Sequence, residues 1–274
     1  MRMLIVISAA LGALAATPAS ADPPPAGAGT TGHGFLANGG TLTTIDHPWA
    51  TTVPASPNEQ AGTATTGIND HGQILGAYEG ADRVIRSFVR DRKGRFTEIE
   101  DPPGGTKRDE YVDINNRGEI VGFYNDDQGF TTTGFLRTRR GRFVYINVPG
   151  SQVTGPLKID DRRQIVGVYA DAEGGVHGFR WDDGEFTTID VTSAAATVVF
   201  GINNRGQTVG SSIDAQGAYH GFLRDRHGAV TTLAPGARRR PGVGGNAADV
   251  AQRARADRRR LRDQAAGGQG AVSG

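Results

Sequence analysis

A ten-residue stretch is written four times into this chain, and it constrains the fold more than any other feature. It reads GINDHGQILG at 67–76, DINNRGEIVG at 113–122, KIDDRRQIVG at 158–167 and GINNRGQTVG at 201–210. The isoleucines Ile68, Ile114, Ile159 and Ile202 stand 46, 45 and 43 residues apart. Self-similarity at such a period marks a repeat architecture.

Each copy runs from an apolar residue through two Asn or Asp and a Gly to a polar–apolar–apolar–Gly end. Asn and Asp bond their own backbone and tolerate positive φ, and Gly supplies it without steric cost. That chemistry predicts a tight turn between two strands, the first ending at the Ile and the second beginning at Gln73, Glu119, Gln164 and Gln207. Arg163 stands where the other copies have Gly, which predicts a strained or differently typed turn. A calcium loop is the competing reading. It needs charged oxygen ligands and a closing carboxylate, whereas these loops carry mostly amides and an Arg in several copies. The structural turn is favoured.

A second unit recurs between the turns. It pairs HGF at 33–35 with LTTID at 42–46, SFVR at 87–90 with FTEIE at 96–100, and GFLR at 134–137 with FVYIN at 143–147. It returns as HGFR at 177–180 with FTTID at 186–190, and as HGFLR at 220–224 with VTTLA at 230–234. Alternating apolar and polar residues around Gly-containing turns read as half-buried strands. One full repeat is therefore four short strands, and no segment before residue 236 shows a helical period. Four antiparallel strands in about 45 residues predict a propeller blade. The expected fold is all-β, a propeller of about five four-stranded blades with an incomplete ring at the C-terminus; a linear array of small sheets is the alternative. Phe35, Phe88, Phe135, Phe179 and Phe222 are expected to pack between blades, with Ile68, Ile114, Ile159 and Ile202 as their partners nearer the centre. The Gly that closes each ten-residue stretch should allow close sheet packing.

The GIN-[ND]-x-G-Q-I-V-G element, followed by HGFLR and FTTID, resembles the HAF family of bacterial extracellular repeats over residues 33–235. The resemblance implies export and a repeated β fold, and it implies no reaction, cofactor or catalytic residue. Arg86 and Thr133, where the signature has His, and Arg163, where it has Gly, depart from it.

Residues 1–21 carry Arg2, an apolar run to Ala16 and Ala19-Ser20-Ala21, the pattern of a secretory signal peptide cut before Asp22. The run is too short to span a membrane. The expected location is extracellular, or periplasmic in a two-membrane envelope. Cys is absent, so this exported fold is expected to hold without disulfides. Residues 22–32 read as a Pro/Gly-rich linker.

After Pro235 the composition changes. Residues 236–274 hold nine Arg against three Asp in a chain whose net charge is only +1, so an acidic body carries a basic tail. Closing a ring needs strands one and two after Leu233, where this tail stands. Two readings compete: a basic appendage, disordered or partly helical, that binds an anionic surface, or the translation of a shifted frame. The scarcity of large apolar residues favours the second.

No catalytic, cofactor or metal constellation stands out. His33, His177 and His220 occupy equivalent positions, as do Asp46, Glu100 and Asp190, and these six are the candidate ligand-binding residues. A zinc site wants three or four ligands within bonding range, and two of the five repeats lack the His. Neighbouring acids such as Asp160-Asp161 point to opposite faces of a strand. Cys, G-x-S-x-G and phosphate-loop glycines are missing. Aromatics make up 7% of the chain and are interleaved with core positions, which argues against a nucleic-acid groove. The function expected is non-enzymatic binding of a glycan or extracellular protein, with Trp49 and Trp181 as candidate sugar-stacking rings. The alternative is a polysaccharide hydrolase or lyase using carboxylates in a central funnel.

Overall fold

The computed structural model describes residues 30–52, 60–105, 110–125 and 131–233, which belong to a compact unit ending at Leu233. The expected signal peptide, most of the linker and the basic tail lie outside the described residues. No helix occurs among those described.

The strands come in sets. The first holds β1 (Thr30–Gly32), β2 (Gly34–Asn38) and β3 (Thr41–Ile45); the second holds β4 (Gln60–Ile68), β5 (Ile74–Glu79), β6 (Ile85–Arg90) and β7 (Phe96–Glu98). The third is β8 (Glu110–Ile114), β9 (Ile120–Asn125), β10 (Thr132–Arg137) and β11 (Phe143–Ile146). The fourth is β12 (Val153–Ile159), β13 (Ile165–Ala170), β14 (Val176–Asp182) and β15 (Glu185–Ile189); the fifth is β16 (Ala196–Ile202), β17 (Thr208–Ile213), β18 (Tyr219–Arg224) and β19 (Val230–Leu233). Sets two to five are antiparallel meanders of four strands each. First strands of successive sets are neighbours, β4 with β8, β8 with β12 and β12 with β16. This is the blade order of a β-propeller, as the repeats predict. Among the described residues, no strand pairing joins the fifth blade to the first.

Among the described residues, the blade without four strands is the first. Its β2–β3 hairpin is a two-stranded sheet that corresponds to strands three and four of the other blades. Thr30–Gly32, expected within the linker, form β1 instead, because the chain there runs parallel to the start of β4 (Thr30 with Gln60). The same parallel approach of a third strand to the next first strand recurs at Thr132 with Val153 and at Val176 with Ala196.

Every first strand of the four complete blades carries a bulge, between Thr65 and Gly67, Tyr111 and Asp113, Pro156 and Lys158, and Val199 and Gly201. The residue before the bulge faces a glycine on the second strand: Gly76, Gly122, Gly167 or Gly210. A side chain there has no room. A Cβ on Gly122 would sit 2.6 Å from Phe135 Cζ, and one on Gly76 or Gly210 would sit 2.7 Å from the ring of Phe88 or Phe222.

The core lies between blades. Leu75 and Ile99 of the second blade meet Tyr111, Ile114, Ile120 and Phe135 of the third. Val121, Leu136 and Ile146 of the third meet Ile159, Ile165, Phe179 and Trp181 of the fourth. Val166 and Ile189 then meet Val199 and Phe222 of the fifth, with Ile202 packed alongside half-buried. Each blade thus offers a strand-two, a strand-three or a strand-four side chain to the Ile and Phe of the next. Phe135, Phe179 and Phe222 are fully buried in this way, while Phe88 is fully buried against the rings of His47 and Phe96.

Phe35 is not: it is 65% exposed, because β2 lacks the two inner strands that cover the ring elsewhere. Ile68 is likewise 51% exposed rather than central. Its counterparts Ile114 and Ile159 pack on the second strand of the preceding blade, and among the described residues the first blade has no such strand. Val209 shows the same shortage at the far end. It is exposed, whereas Leu75, Val121 and Val166 at the same position are fully buried by a following blade.

Candidate functional site

The repeated turns are closed by their own side chains. Asn115 Oδ1 accepts the backbone N–H of Arg117 and of Glu119, both at 3.0 Å, and Asn69, Asp160 and Asn203 do the same in their turns. This is the Asx turn that the residue types favour. The second strands begin at Ile74, Ile120, Ile165 and Thr208, one residue later than expected, because the turn includes the Gln or Glu whose carbonyl accepts from the first Asn or Asp.

The turns also fasten one blade to the next, which the sequence reading missed. Asn69 Nδ2 donates to Asn115 O and Asn115 Nδ2 to Asp160 O, each at 3.0 Å. The following residues form a second ladder: Asp70 N–H donates to Asn116 Oδ1, Asn116 N–H to Asp161 Oδ1, and Asp161 N–H to Asn204 Oδ1, at 2.7–2.9 Å. Asn116 and Asn204 return amide N–H bonds to Asp161 Oδ2 at 2.9 and 2.6 Å. The signal lay in the alternation Asp70, Asn116, Asp161, Asn204, an acid always facing an amide one repeat away.

Arg163 keeps the turn type and bears its strain. Its φ of 72° matches the 72°, 73° and 75° of Gly72, Gly118 and Gly206, a region that costs a β-carbon-bearing residue about 1–2 kcal/mol. Its guanidinium Nε donates to Glu119 Oε1 at 3.0 Å, and NH2 bonds the same oxygen. Burial would raise the Glu119 carboxyl, but the bonds from Arg163 and Asn115 outweigh it and hold the group below its ordinary value. A second ion pair crosses the same junction, Lys158 Nζ to Asp113 Oδ1 at 2.6 Å.

Five of the six sequence-predicted ligand residues pair with a side chain of their own blade. His33 Nδ1 lies 2.9 Å from Asp46 Oδ1. His177 lies between two acids, with Nδ1 2.9 Å from Asp190 Oδ2 and Nε2 3.1 Å from Asp171 Oδ2. His220 Nε2 is 2.8 Å from Asp214 Oδ2. Arg86 takes the same place in the second blade and pairs with Asp82. Glu100 is exposed, two residues beyond the end of β7. Its backbone carbonyl accepts the Tyr111 hydroxyl. Among the described residues, no group of three or more His, Cys, Asp or Glu is placed to hold a metal ion. Trp181 is a core residue at 6% exposure, packed with Phe179, so it is not available for stacking on a sugar. Trp49 is 70% exposed.

Two histidines titrate oppositely. Burial lowers the His177 imidazole, but hydrogen bonds to Asp190 and Asp171 outweigh it and raise the pKa above 6.5. His47, stacked on Tyr78 at 3.7 Å, is lowered by burial, with Glu98 opposing. In an NMR titration of the ring protons, His177 is expected above 6.5 and His47 below it. His177 then contributes stability that is complete below its unfolded pKa and lost as pH rises through its folded one. A His177 midpoint at or below 6.5 would contradict the two-acid arrangement.

The described cavity lies between the fourth and fifth blades and has a volume of about 530 Å³. Arg162 and Gln164 come from the turn after β12, and Arg180 from β14. Arg205, Gly206 and Gln207 come from the turn after β16, and Asp225, Arg226 and His227 from the turn after β18. At the preceding junction the Glu119–Arg163 pair stands at these turn positions. Here their equivalents are Gln164 and Gly206, so both the acid and the guanidinium are missing. Gln164 instead turns its amide to Asp182 Oδ2 at 2.7 Å. No sequence feature flagged this cavity as a whole. Its one legible sign was Arg180, which occupies the register position of Val89, Leu136 and Leu223.

No family model matches the chain, and no curated protein matches it. Among solved structures it is similar to a protein of Agrobacterium tumefaciens described as a TolB, with 14% identity and a TM-score of 0.52 over 72% of this chain and 70% of that one. It matches more weakly the BP39L lectin of Burkholderia pseudomallei, with 16% identity and a TM-score of 0.39 over 73% and 62% of the two chains. The SapL1 lectin, solved in complex with alpha methyl fucoside, gives 14% identity and a TM-score of 0.41 over 72% and 70%. At identities this low, what the first likeness shows is the fold: a propeller-like all-β chain.

Proposed function

We propose that this chain is an exported binding module that holds glycan or extracellular protein ligands on the turns displayed by successive blades, and that it is a member of the HAF repeats it resembles. The observation that carries the reading is the stacking of equivalent turns one repeat apart, Asn69 on Asn115 and Asn115 on Asp160, with a polar cavity opening where two such turns part. Equivalent loops on neighbouring blades suit repeated, weak, additive contacts. The acids that a hydrolase would need to converge are engaged singly, Asp46 by His33 and Asp190 by His177.

The test takes protein recovered from the culture supernatant, whose first residue should be Asp22, and screens it against a glycan array and a panel of extracellular proteins. Saturable binding without release of reducing ends is the expected result. Release of sugar ends, or protein found only inside the cell, would sink the proposal.

A further inference from the structure

We infer that the cavity between the fourth and fifth blades is a site for an anionic sugar, whose carboxylate or sulfate is held by Arg162, Arg180, Arg205 and Arg226. The inference rests on the binding-module reading and gives that reading a ligand class.

Four guanidiniums from four separate segments line one cavity. Among the described residues, none of the four has a carboxylate within 4.0 Å. Elsewhere in this protein arginines near acids pair with them, as Arg86 does with Asp82 and Arg163 with Glu119. Arginine presents a planar fork of donors that matches a carboxylate or sulfate two bonds at a time. The charge imbalance therefore has an obvious complement, and it is an oxyanion.

Arg180 strengthens the case. The other complete blades place Val89, Leu136 and Leu223 at this position, and Leu136 is buried in the interblade core. A guanidinium there is half-buried, and its Nε is enclosed with no hydrogen-bond partner. An enclosed N–H without an acceptor is unfavourable for folding alone. A ligand oxygen entering the cavity supplies the acceptor.

The rest of the lining favours a sugar over an acidic peptide. Gln164, Gln207 and Asp225 add amide and carboxylate groups that exchange hydrogen bonds with hydroxyls. None of the lining residues is Trp, Tyr or Phe, so recognition here runs through charge and hydroxyl bonding rather than through stacking on a sugar face. The volume is that of an ordinary small-ligand site, large enough for one or two sugar rings.

The experiment is calorimetric titration of the full chain with four probes: tetragalacturonate, its fully methyl-esterified form, a sulfated galactose tetrasaccharide and tetraglutamate. Two variants are run alongside. Arg180→Leu restores the residue type of the other blades, and Arg205→Gln changes an exposed side chain, so at least one is expected to fold as the parent does by circular dichroism. Tetragalacturonate or the sulfated sugar should bind, the ester about tenfold more weakly or not at all, and each variant should lose about tenfold in affinity. Binding should also fall steeply in about 1 M salt, where the screening length is about 3 Å. Equal binding of acid and ester, or variants as good as the parent, would overturn the site while leaving a neutral-glycan module standing. Tetraglutamate binding more tightly than either sugar would overturn the sugar assignment. A chain that binds neither these probes nor anything in the broader screen would remove both readings.

Discussion

Phe179→Ala is expected to cost about 3–5 kcal/mol of stability, the range for emptying a buried aromatic site, while Phe35→Ala stays within about 0.5 kcal/mol. The two residues hold the same place in the repeat, on the third strand of their blades. Phe179 has no exposed surface and packs against Val121, Leu136 and Ile146 of the blade before it, as well as Ile159, Ile165 and Trp181 of its own. Its ring also meets Phe186 edge-on, with centroids 5.8 Å apart. Paired strands on both sides hold the walls of the site apart, so the cavity cannot collapse and the upper part of the range applies. Phe35 lies on a two-stranded sheet and already faces water. Urea unfolding of both variants measures the contrast. Comparable losses would mean that the first blade is covered and that its inner strands are supplied from elsewhere.

Gly122→Ala should be nearly as damaging, by about 3 kcal/mol or slightly more, at the top of the range for overpacking. The new methyl would be driven into the Glu110 carbonyl oxygen and within 2.6 Å of Phe135 Cζ. Neither can withdraw. The carbonyl belongs to the bulged first strand, which is paired along its length, and the ring is locked in the interblade core. The third-strand glycines provide an internal control. At Gly134 and Gly178 a Cβ would meet Pro156 Cδ and Val199 Cγ2 of the next blade, each at 2.6 Å, and the Ile146 or Ile189 carbonyl oxygen of its own blade at 2.7 or 2.8 Å, so alanine should cost about 1–3 kcal/mol there. At Gly221 the nearest described atom is Leu233 Cβ, 3.6 Å away, and alanine should change stability by less than about 0.5 kcal/mol. A Gly221→Ala variant as unstable as Gly178→Ala would show that something packs on the fifth blade in solution.

The blade count and strand order were legible because turn residues and apolar alternation are local signals, repeated often enough to exclude accident. Burial was legible only where a neighbour exists. Phe35 and Ile68 carry the same letters as their counterparts, and what differs is the covering strand, which no residue in the motif records. The six ligand candidates were read as equivalent positions, and what went unread was the pairing inside one blade. Thirteen residues separate His33 from Asp46 and His177 from Asp190, which is one hairpin, so pairing across that hairpin is the short route for both. The Asn and Asp ladder escaped notice because its partners are a whole repeat apart. Arg180 was visible as a letter, but its meaning depends on Gln164 and Gly206 standing where an ion pair stands one junction earlier.

Asp160 replaces the Asn that the other turns carry, and a carboxylate has no N–H to pass to the next turn. Its Oδ2 is enclosed and unbonded, where Asn69 and Asn115 reach across to the following blade. The third and fourth blades are tied by that amide bond and by two ion pairs, Lys158 with Asp113 and Arg163 with Glu119. The fourth and fifth lack all three. In a one-dimensional array each interface adds its own term to the whole, and the term here comes from the Asp161–Asn204 bonds and the core of Val166, Ile189, Val199 and Phe222. Because the arginine cavity straddles that same joint, a ligand that touches both walls adds a further term to this junction alone, and its concentration sets the size of that term.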